Sequence, residues 1–348
     1  MDAQIAAILA MDGIATGAIY VLMGLGFVLL FTVTRVIFVP FGDIAAFTAL
    51  TLAALEMKQL PGTVGLVVVL AVLAALMEIG AQLRASGARR IPRAILFYLV
   101  LPLLPVAAVW LVSGQPLPMF GRIALAILVV MPIAPLLDRV AFRPIADGSV
   151  LLLLTVAVVV HFALVGLGLL FFGAEGVRTE PLTEVTFNIA GTVVSAQTLL
   201  IVLAAIVFSG LLFLFFEFTA TGKALRATAI NRTGARLVGI RPASTGTVAY
   251  LLASLLAAIS GVLIAPVTTI FYDSGFLIGL KAFVGAIIAG MASYPMTVAG
   301  AIFVGMLESF ASFWSSAFKE VIVFGILIPV LLWRSFTTLQ TDEDDSEE

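Results

Sequence analysis

Apolar residues in this chain run in unbroken stretches instead of alternating with polar ones. The stretches lie near 11–34, 36–56, 62–82, 94–113, 119–137, 148–172, 197–217 and 247–270. A helix needs about 20 apolar residues to cross a hydrocarbon core of about 30 Å, and these runs are of that order. The region 275–334 is apolar as well, but Lys281, Pro295, Glu308, Lys319 and Glu320 interrupt it, which predicts three shorter or broken helices there. The pattern predicts an all-α, polytopic integral membrane protein with about ten or eleven transmembrane helices. Strands of a membrane barrel alternate in segments of about ten residues, and these runs do not. Gly and Pro inside the runs are compatible with helix, because neighbouring helices satisfy the freed backbone groups.

Basic residues cluster between the runs. Arg84, Arg89, Arg90 and Arg93 fall at 83–93, Arg139 and Arg143 at 138–147, and Lys223, Arg226, Arg232, Arg236 and Arg241 at 218–246; these are eleven of the 18 Lys and Arg. The intervening segment 173–196 carries Arg178 beside Glu175, Glu180 and Glu184. The positive-inside rule places the three basic loops in the cytoplasm and 173–196 outside. Even numbers of spans separate the basic loops, so the assignment is self-consistent. It places the N-terminus outside and the acidic tail 341–348, a disordered end by composition, in the cytoplasm. Residues 1–340 then form one transmembrane domain.

Composition narrows the function. Of the 348 residues, 62% are apolar and 11% charged, and the net charge is −2; mean hydropathy is +1.22. Soluble domains average about 45–50% apolar and about 25% charged, so a soluble enzyme or a nucleic-acid binder does not fit. With no Cys and one His, thiolate metal sites, a Cys nucleophile and His-based metal or acid–base sites are not expected. The start Met1-Asp2-Ala3-Gln4 lacks the basic segment of a secretory signal, so the first apolar run reads as a retained span. No Walker A sequence occurs, since Thr221-Gly222-Lys223-Ala224 lacks both the preceding Gly and the final hydroxyl residue. Catalytic signatures are equally missing, and no catalytic or metal site is assigned.

Ionisable residues inside spans are costly and therefore functional candidates. They are Asp43, Glu78, His161 and Glu308, with Asp12 near a membrane face. His161 reads as a neutral imidazole bonded to a neighbouring helix, and Glu308 as an interhelical hydrogen bond or helix-end residue. Asp43 follows Gly42 and reads as a residue at a helix start or one that lines a pathway. Four scattered groups do not make the charged relay that an ion-coupled carrier uses.

The segment 217–243 reads E-F-T-A-T-G-K-A-L-R-A-T-A-I-N-R-T-G-A-R-L-V-G-I-R-P-A. Thr219 or Thr221 is placed to cap a short helix through Ala224, Leu225, Ala227 and Ala229, with Lys223 and Arg226 exposed. Asn231-Arg232-Thr233-Gly234 is a break, and a second apolar turn from Ala235 to Ile240 stops at Pro242. Two short amphipathic helices suit docking into a groove on a partner; the pattern alone is equally that of a basic loop that sets topology and touches anionic lipid.

Four segments occur in a suggestive order. They are G-x-x-x-G-A-I-Y-V-L-M-G-L-G from Gly13, D-R-V-A-F-R-P at Asp138–Pro144, T-G-K-A-L-R-A…A-R-L-V-G-I from Thr221, and G-L-K-A-F-V-G-A-I-I-A-G-M-A-S-Y-P from Gly279, followed by Glu308. With these the chain resembles the permease subunits of bacterial branched-chain amino acid ABC importers. The resemblance implies the ABC importer permease fold and a pathway built by two permease subunits, in a homo- or heterodimer. It also implies two cytoplasmic ATP-binding subunits docked on the coupling loop at 218–246, and a periplasmic substrate-binding protein. ATP and Mg would sit on the ATP-binding subunits, with no cofactor in this chain. Gly222, Lys223, Arg226, Ala227, Leu237, Gly239 and Ile240 would contact the ATPase, and Tyr20, Phe41, Asp43 and Glu308 are the candidates for the pathway. The implied location is the bacterial inner membrane.

Two features depart from the family pattern. Ile37-Phe38-Val39-Pro40-Phe41-Gly42 stands where the family commonly has Ile-Asn-Phe-Ala-His-Gly, and Pro40 adds a break. The region 58–137 is longer than the family pattern and reads as holding two extra spans. The rival readings are the same architecture with another cargo (urea, amides, aromatic acids or a sugar), an ion-coupled secondary carrier, and a non-transporting scaffold.

Overall fold

The computed structural model describes residues 3–85, 91–146, 148–189, 192–291 and 293–332, so the acidic tail, Arg89 and Arg90 lie outside the described residues. The chain is helical almost throughout. In order, the helices are α1 (Ala3–Thr34), α2 (Phe41–Glu56), α3 (Thr63–Ala85), α4 (Ile91–Val112), α5 (Met119–Ile145) and α6 (Val150–Phe172). A hairpin of β1 (Thr186–Ile189) and β2 (Thr192–Ser195) follows. Then come α7 (Ala196–Phe218), α8 (Ala220–Ile230), α9 (Arg232–Leu237), α10 (Pro242–Ile264), α11 (Gly275–Ile288), α12 (Tyr294–Trp314) and α13 (Lys319–Gly325).

Among the described residues, eight helices are long and apolar enough to cross a membrane: α1, α3 to α7, α10 and α12. The other apolar segments form shorter helices, with 16 residues in α2, 14 in α11 and 7 in α13. The expected run 36–56 is shortened because Val36–Pro40 is not helical and α2 begins only at Phe41. At about 1.5 Å per residue α2 spans roughly 24 Å, short of a full crossing.

The shortening has a packing cause. The ring of Phe41 lies against Gly26, where an added Cβ would come within 2.3 Å of its Cζ. Gly26 lies within α1 and not at its end, so Phe41, the first residue of α2, packs against the interior of that helix. The first residues of α11 meet the same point, since a Cβ on Gly42 would fall 1.9 Å from the carbonyl oxygen of Gly275. Two helix N-termini therefore converge within the bundle.

Small residues set the spacing of the inner helices. A Cβ on Gly305 of α12 would lie 2.3 Å from the backbone nitrogen of Gly17 in α1, and one on Gly261 of α10 would lie 2.2 Å from the Ala45 carbonyl of α2. Backbones in such contact gain van der Waals attraction that larger side chains would prevent. In α4, Leu96–Val100 is a π-helical turn, and Pro102 and Pro105 follow it. A second π turn, Asp138–Phe142, follows Pro132 and Pro135 in α5. Pro removes the amide that would close the α-helical bond, and the ladder slips locally.

The basic segments gather at one face. The Arg143 guanidinium donates to the Tyr98 hydroxyl at 2.8 Å, to the Thr247 hydroxyl at 2.7 Å and to the Ala243 carbonyl at 3.2 Å, joining α4, α5 and α10. Beside it, Arg139 pairs with Glu78 at 2.5 Å. At the opposite face the carboxylate of Glu56 accepts the Glu180 amide at 3.3 Å, and Arg178 donates to the Pro266 carbonyl at 2.9 Å.

Candidate functional site

The link between α7 and α10 folds as the two short helices that its sequence predicts. Thr219 is the cap of α8, its hydroxyl oxygen accepting the Gly222 amide at 2.9 Å. Asn231 caps α9 in the same way, its Oδ1 accepting the Gly234 amide at 2.8 Å. Each cap satisfies an amide that helix geometry leaves orphaned. The end of α9 is as well defined. Gly239 takes φ +86°, its amide donates to the Arg236 carbonyl at 3.1 Å, and the Ile240 amide donates to the Ala235 carbonyl at 2.9 Å. This is the paired closure that a left-handed residue permits, and Gly adopts it without the Cβ clash of other residues.

The seven residues assigned to this loop divide by role. Gly222 packs on α7, where a Cβ would sit 2.3 Å from the Phe215 carbonyl oxygen, so it lets α8 fold back tightly. Gly239 shapes the turn. Lys223 and Arg226 are exposed, Ala227 and Ile240 are half-buried, and Leu237 is 84% exposed. Arg226 reaches Glu217 at 3.1 Å, a solvent-facing pair that is free to exchange partners. Ile230 at 78% and Val238 at 76% exposure flank Leu237. Three bare apolar side chains and the exposed Lys223, Arg226 and Arg236 thus lie on short capped helices.

The opposite face holds a cavity of about 530 Å³ between α1, the α10–α11 link, α12 and α13. At its base Lys281, 6% exposed, contacts Glu308 at 2.5 Å and Glu320 at 3.0 Å. The Tyr20 hydroxyl donates to the second oxygen of Glu308 at 2.6 Å. Four helices are thus tied through one buried cation, which burial makes costly unless fully paired. Two of the pathway candidates, Tyr20 and Glu308, line this cavity.

The other two lie elsewhere. Phe41 is fully buried against Phe27, ring centroids 4.6 Å apart. Asp43 is fully buried in the first turn of α2 and hydrogen-bonds His161 of α6 at 2.7 Å. Phe276 stacks on the imidazole at 4.8 Å. The start of α11 packs on the backbone of Asp43, and the Oδ1 of Asp43 is buried without a hydrogen-bond partner among the described residues, so His161 is the contact that satisfies this carboxyl group.

Sequence reasoning did not assign Asp12, Lys281, Lys319 and Glu320 to a site, although all four line the cavity. The signal of Lys281, Lys319 and Glu320 was present as charges that interrupt the apolar region after 275, and that of Asp12 as an ionisable residue near a membrane face. Nothing in the linear pattern, however, brings the first helix to the last two.

A family described as "Branched-chain amino acid transport system / permease component" matches residues 9–331. The high-affinity branched-chain amino acid transport system permease protein BraD of Pseudomonas aeruginosa is 30% identical over 230 residues, 64% of this chain and 75% of BraD. The corresponding protein LivH of Salmonella typhimurium is 28% identical over 203 residues, 56% of this chain and 66% of LivH. LivH of Escherichia coli K12 is 26% identical over 204 residues. No solved structure matches the chain. These relatives are transport permeases and not enzymes, and since the match runs through nearly all of the helices described above, the chain is a multi-pass membrane protein that belongs to the branched-chain amino acid transport system permease family.

Proposed function

We propose that this chain is the permease subunit of an ATP-driven importer, that it forms part of the translocation pathway for branched-chain amino acids, and that α8 and α9 receive a cytoplasmic ATPase. The observation that supports the reading is the exposure of Ile230, Leu237 and Val238 on the same two short helices as the exposed Lys223, Arg226 and Arg236, in a permease-family chain whose sequence has no Walker A phosphate-binding motif. ATP and Mg belong on the docked subunits. A groove on the ATPase accepts the apolar edge of α9, while Arg226 and Arg236 meet acidic residues around it. ATP-driven closure of the two ATPase subunits then moves α8 and α9, and with them α7 and α10, which shifts the bundle between its two open states.

The basic face is the cytoplasmic one under this reading, which puts the β1–β2 hairpin and the 530 Å³ cavity on the side from which a substrate-binding protein delivers cargo. A second permease subunit, identical or related, completes the pathway. The bacterial inner membrane is the location that fits these partners.

Co-purification tests the reading. The tagged chain, extracted in mild detergent, is expected to bring down an ATPase subunit with nucleotide-hydrolysing activity. Arg226→Glu is expected to lower that recovery by about tenfold or more, because it reverses a charge at a steered contact. Normal recovery and normal uptake in that variant would remove the docking assignment. Uptake by the chain alone in liposomes under an ion gradient would support the ion-coupled carrier instead.

A further inference from the structure

We propose that Arg232, the first residue of α9, is a positioning residue that carries movement of the α8–α9 link into the bundle, by pairing with Asp138 of α5 only in the ATP-closed state. The assignment rests on the importer reading above. Four basic residues lie on α8 and α9. Lys223, Arg226 and Arg236 are exposed, whereas Arg232 is half-buried. Its side chain lines a second, small cavity of about 70 Å³, together with Asp138, Arg143, Tyr250 and the end of α1. Arg232 Nε is buried there without a hydrogen-bond partner among the described residues. Asp138 is 8% exposed on the same cavity. Its ion pair among the described residues is with Arg143, at 3.5 Å, and none joins it to Arg232.

The pairing around Asp138 leaves place for a second cation. A contact of 3.5 Å is long beside the roughly 2.7–2.9 Å of a charge-assisted bond. Arg143 is held off by its other acceptors, the Tyr98 and Thr247 hydroxyls and the Ala243 carbonyl. Arg139, the next residue, is spent on Glu78. A carboxylate offers about four lone-pair sites, so Asp138 can accept from Arg232 without releasing Arg143. Buried charges that are loosely paired are costly, and an inward shift of α9 that brings guanidinium to carboxylate removes that cost. Both ends can give. The buried residue of the short helix α9 is Ala235, and Asp138 opens the π turn of α5, where the helical ladder has already slipped. A contact made in one state and not in the other moves the equilibrium between them, whereas one made in both does not. An Arg232–Asp138 pair would therefore link the element that an ATPase moves to a helix of the bundle, and only when that element has moved.

The test uses the full chain in complex with the ATPase that co-purifies. The chain has no Cys, so Arg232→Cys combined with Asp138→Cys gives one defined pair for a short thiol cross-linker, read by mass on this chain alone. Cross-linking is expected to be about tenfold faster after trapping with ATP and vanadate than without nucleotide. In liposomes, Arg232→Gln and Asp138→Asn are each expected to lower leucine uptake per ATP hydrolysed by about tenfold, while Arg232→Lys, which keeps the charge, retains most of it. The double variant is expected to be no worse than the weaker single one, because both changes remove the same bond. For Arg232→Gln, ATPase recovery and the nucleotide-free unfolding temperature are expected to stay at their wild-type values, since the pair is not made in that state. Cross-linking at one rate with and without nucleotide, or a double variant whose loss multiplies the two single losses, overturns the inference. Loss of ATPase recovery in Arg232→Gln overturns it as well, and places Arg232 in the contact with the ATPase. The importer reading fails separately. A wild-type chain that recovers no ATPase rejects that reading and this inference with it, whereas an ATPase recovered alongside nucleotide-independent cross-linking rejects the inference alone.

Discussion

The long helices of this protein are all apolar enough to cross a membrane and very different in surroundings. In the most apolar stretches of α1 and α10, 83% and 72% of residues are buried within the chain, whereas for α4, α6 and α7 the shares are 17%, 22% and 22%. The exposed α4, α6 and α7 are the more apolar, with mean hydropathy 2.5, 2.8 and 3.0 against 2.2 for α1 and α10. However, α5 at 2.2 and α12 at 1.5 are also mostly exposed, so hydropathy alone does not sort inner helices from outer ones. What does distinguish them is how small residues are used. Gly13 and Gly17 of α1 touch the backbone of α12 directly, while Gly166 of α6 and Gly210 of α7 have open space where a Cβ would go. The inner helices are held by backbone contact and a few buried polar bonds. The outer helices are held by fewer protein contacts and face solvent or lipid along most of their length.

The largest expected effect breaks the inner region at its polar junction. His161→Ala leaves the Asp43 carboxylate buried without its partner, and such a loss costs about 3–5 kcal/mol. The expected readout is a markedly lower unfolding temperature in detergent, with partial recovery when Asp43→Leu is added. Unfolding at the wild-type temperature would show that the pair contributes nothing.

A pair of glycine substitutions sharpens the contrast directly. Gly305→Val drives a side chain into the backbone of Gly17 and is expected to cost about 1–3 kcal/mol, with loss of folded yield. Gly210→Val adds the same atoms where nothing lies within 4 Å, and its cost is expected to stay within about 0.5 kcal/mol. Equal effects at the two positions would dissolve the distinction between inner and outer helices.

Smaller effects are expected at the α8–α9 surface, which belongs to neither region. Thr219→Ala removes a helix cap worth about 1 kcal/mol. It is expected to weaken ATPase recovery while the unfolding temperature of the bundle barely moves. Arg226→Glu is expected to change stability least, by less than about 1 kcal/mol, since its pair with Glu217 is half-exposed. That variant separates stability from coupling, because ATPase recovery should still fall.

Much of the architecture was legible in the residues. Continuous apolar runs predicted the helices, and the charges after 275 predicted three shorter or broken ones; three helices appear there, of which α11 and α13 are short and α12 is long enough to cross. Thr219 and Asn231 were readable as cap and break because capping depends on residues within one turn of each other. His161 was readable as bonded to another helix, although Asp43 was not readable as its partner. The length of α2 was misjudged. The run from Val36 looks continuous in composition, and only the seating of Phe41 on Gly26 shows that the helix starts inside the bundle. Among the pathway candidates, Tyr20 and Glu308 share a cavity with Asp12 and Lys319, and Phe41 and Asp43 do not.

By itself, then, the sequence determined the solvent, the helices, the side on which basic segments gather and the local shape of the α8–α9 surface. Each of these depends on transfer free energy or on bonds between residues close in the chain. Only the tertiary structure decided which helices are inner and which outer, where α2 begins, and that residues 12, 281 and 319 share one cavity. Those outcomes depend on contacts between segments up to 300 positions apart. In lipid the contacts are chosen by shape and by the pairing of buried charges, and a linear pattern of apolar residues encodes neither.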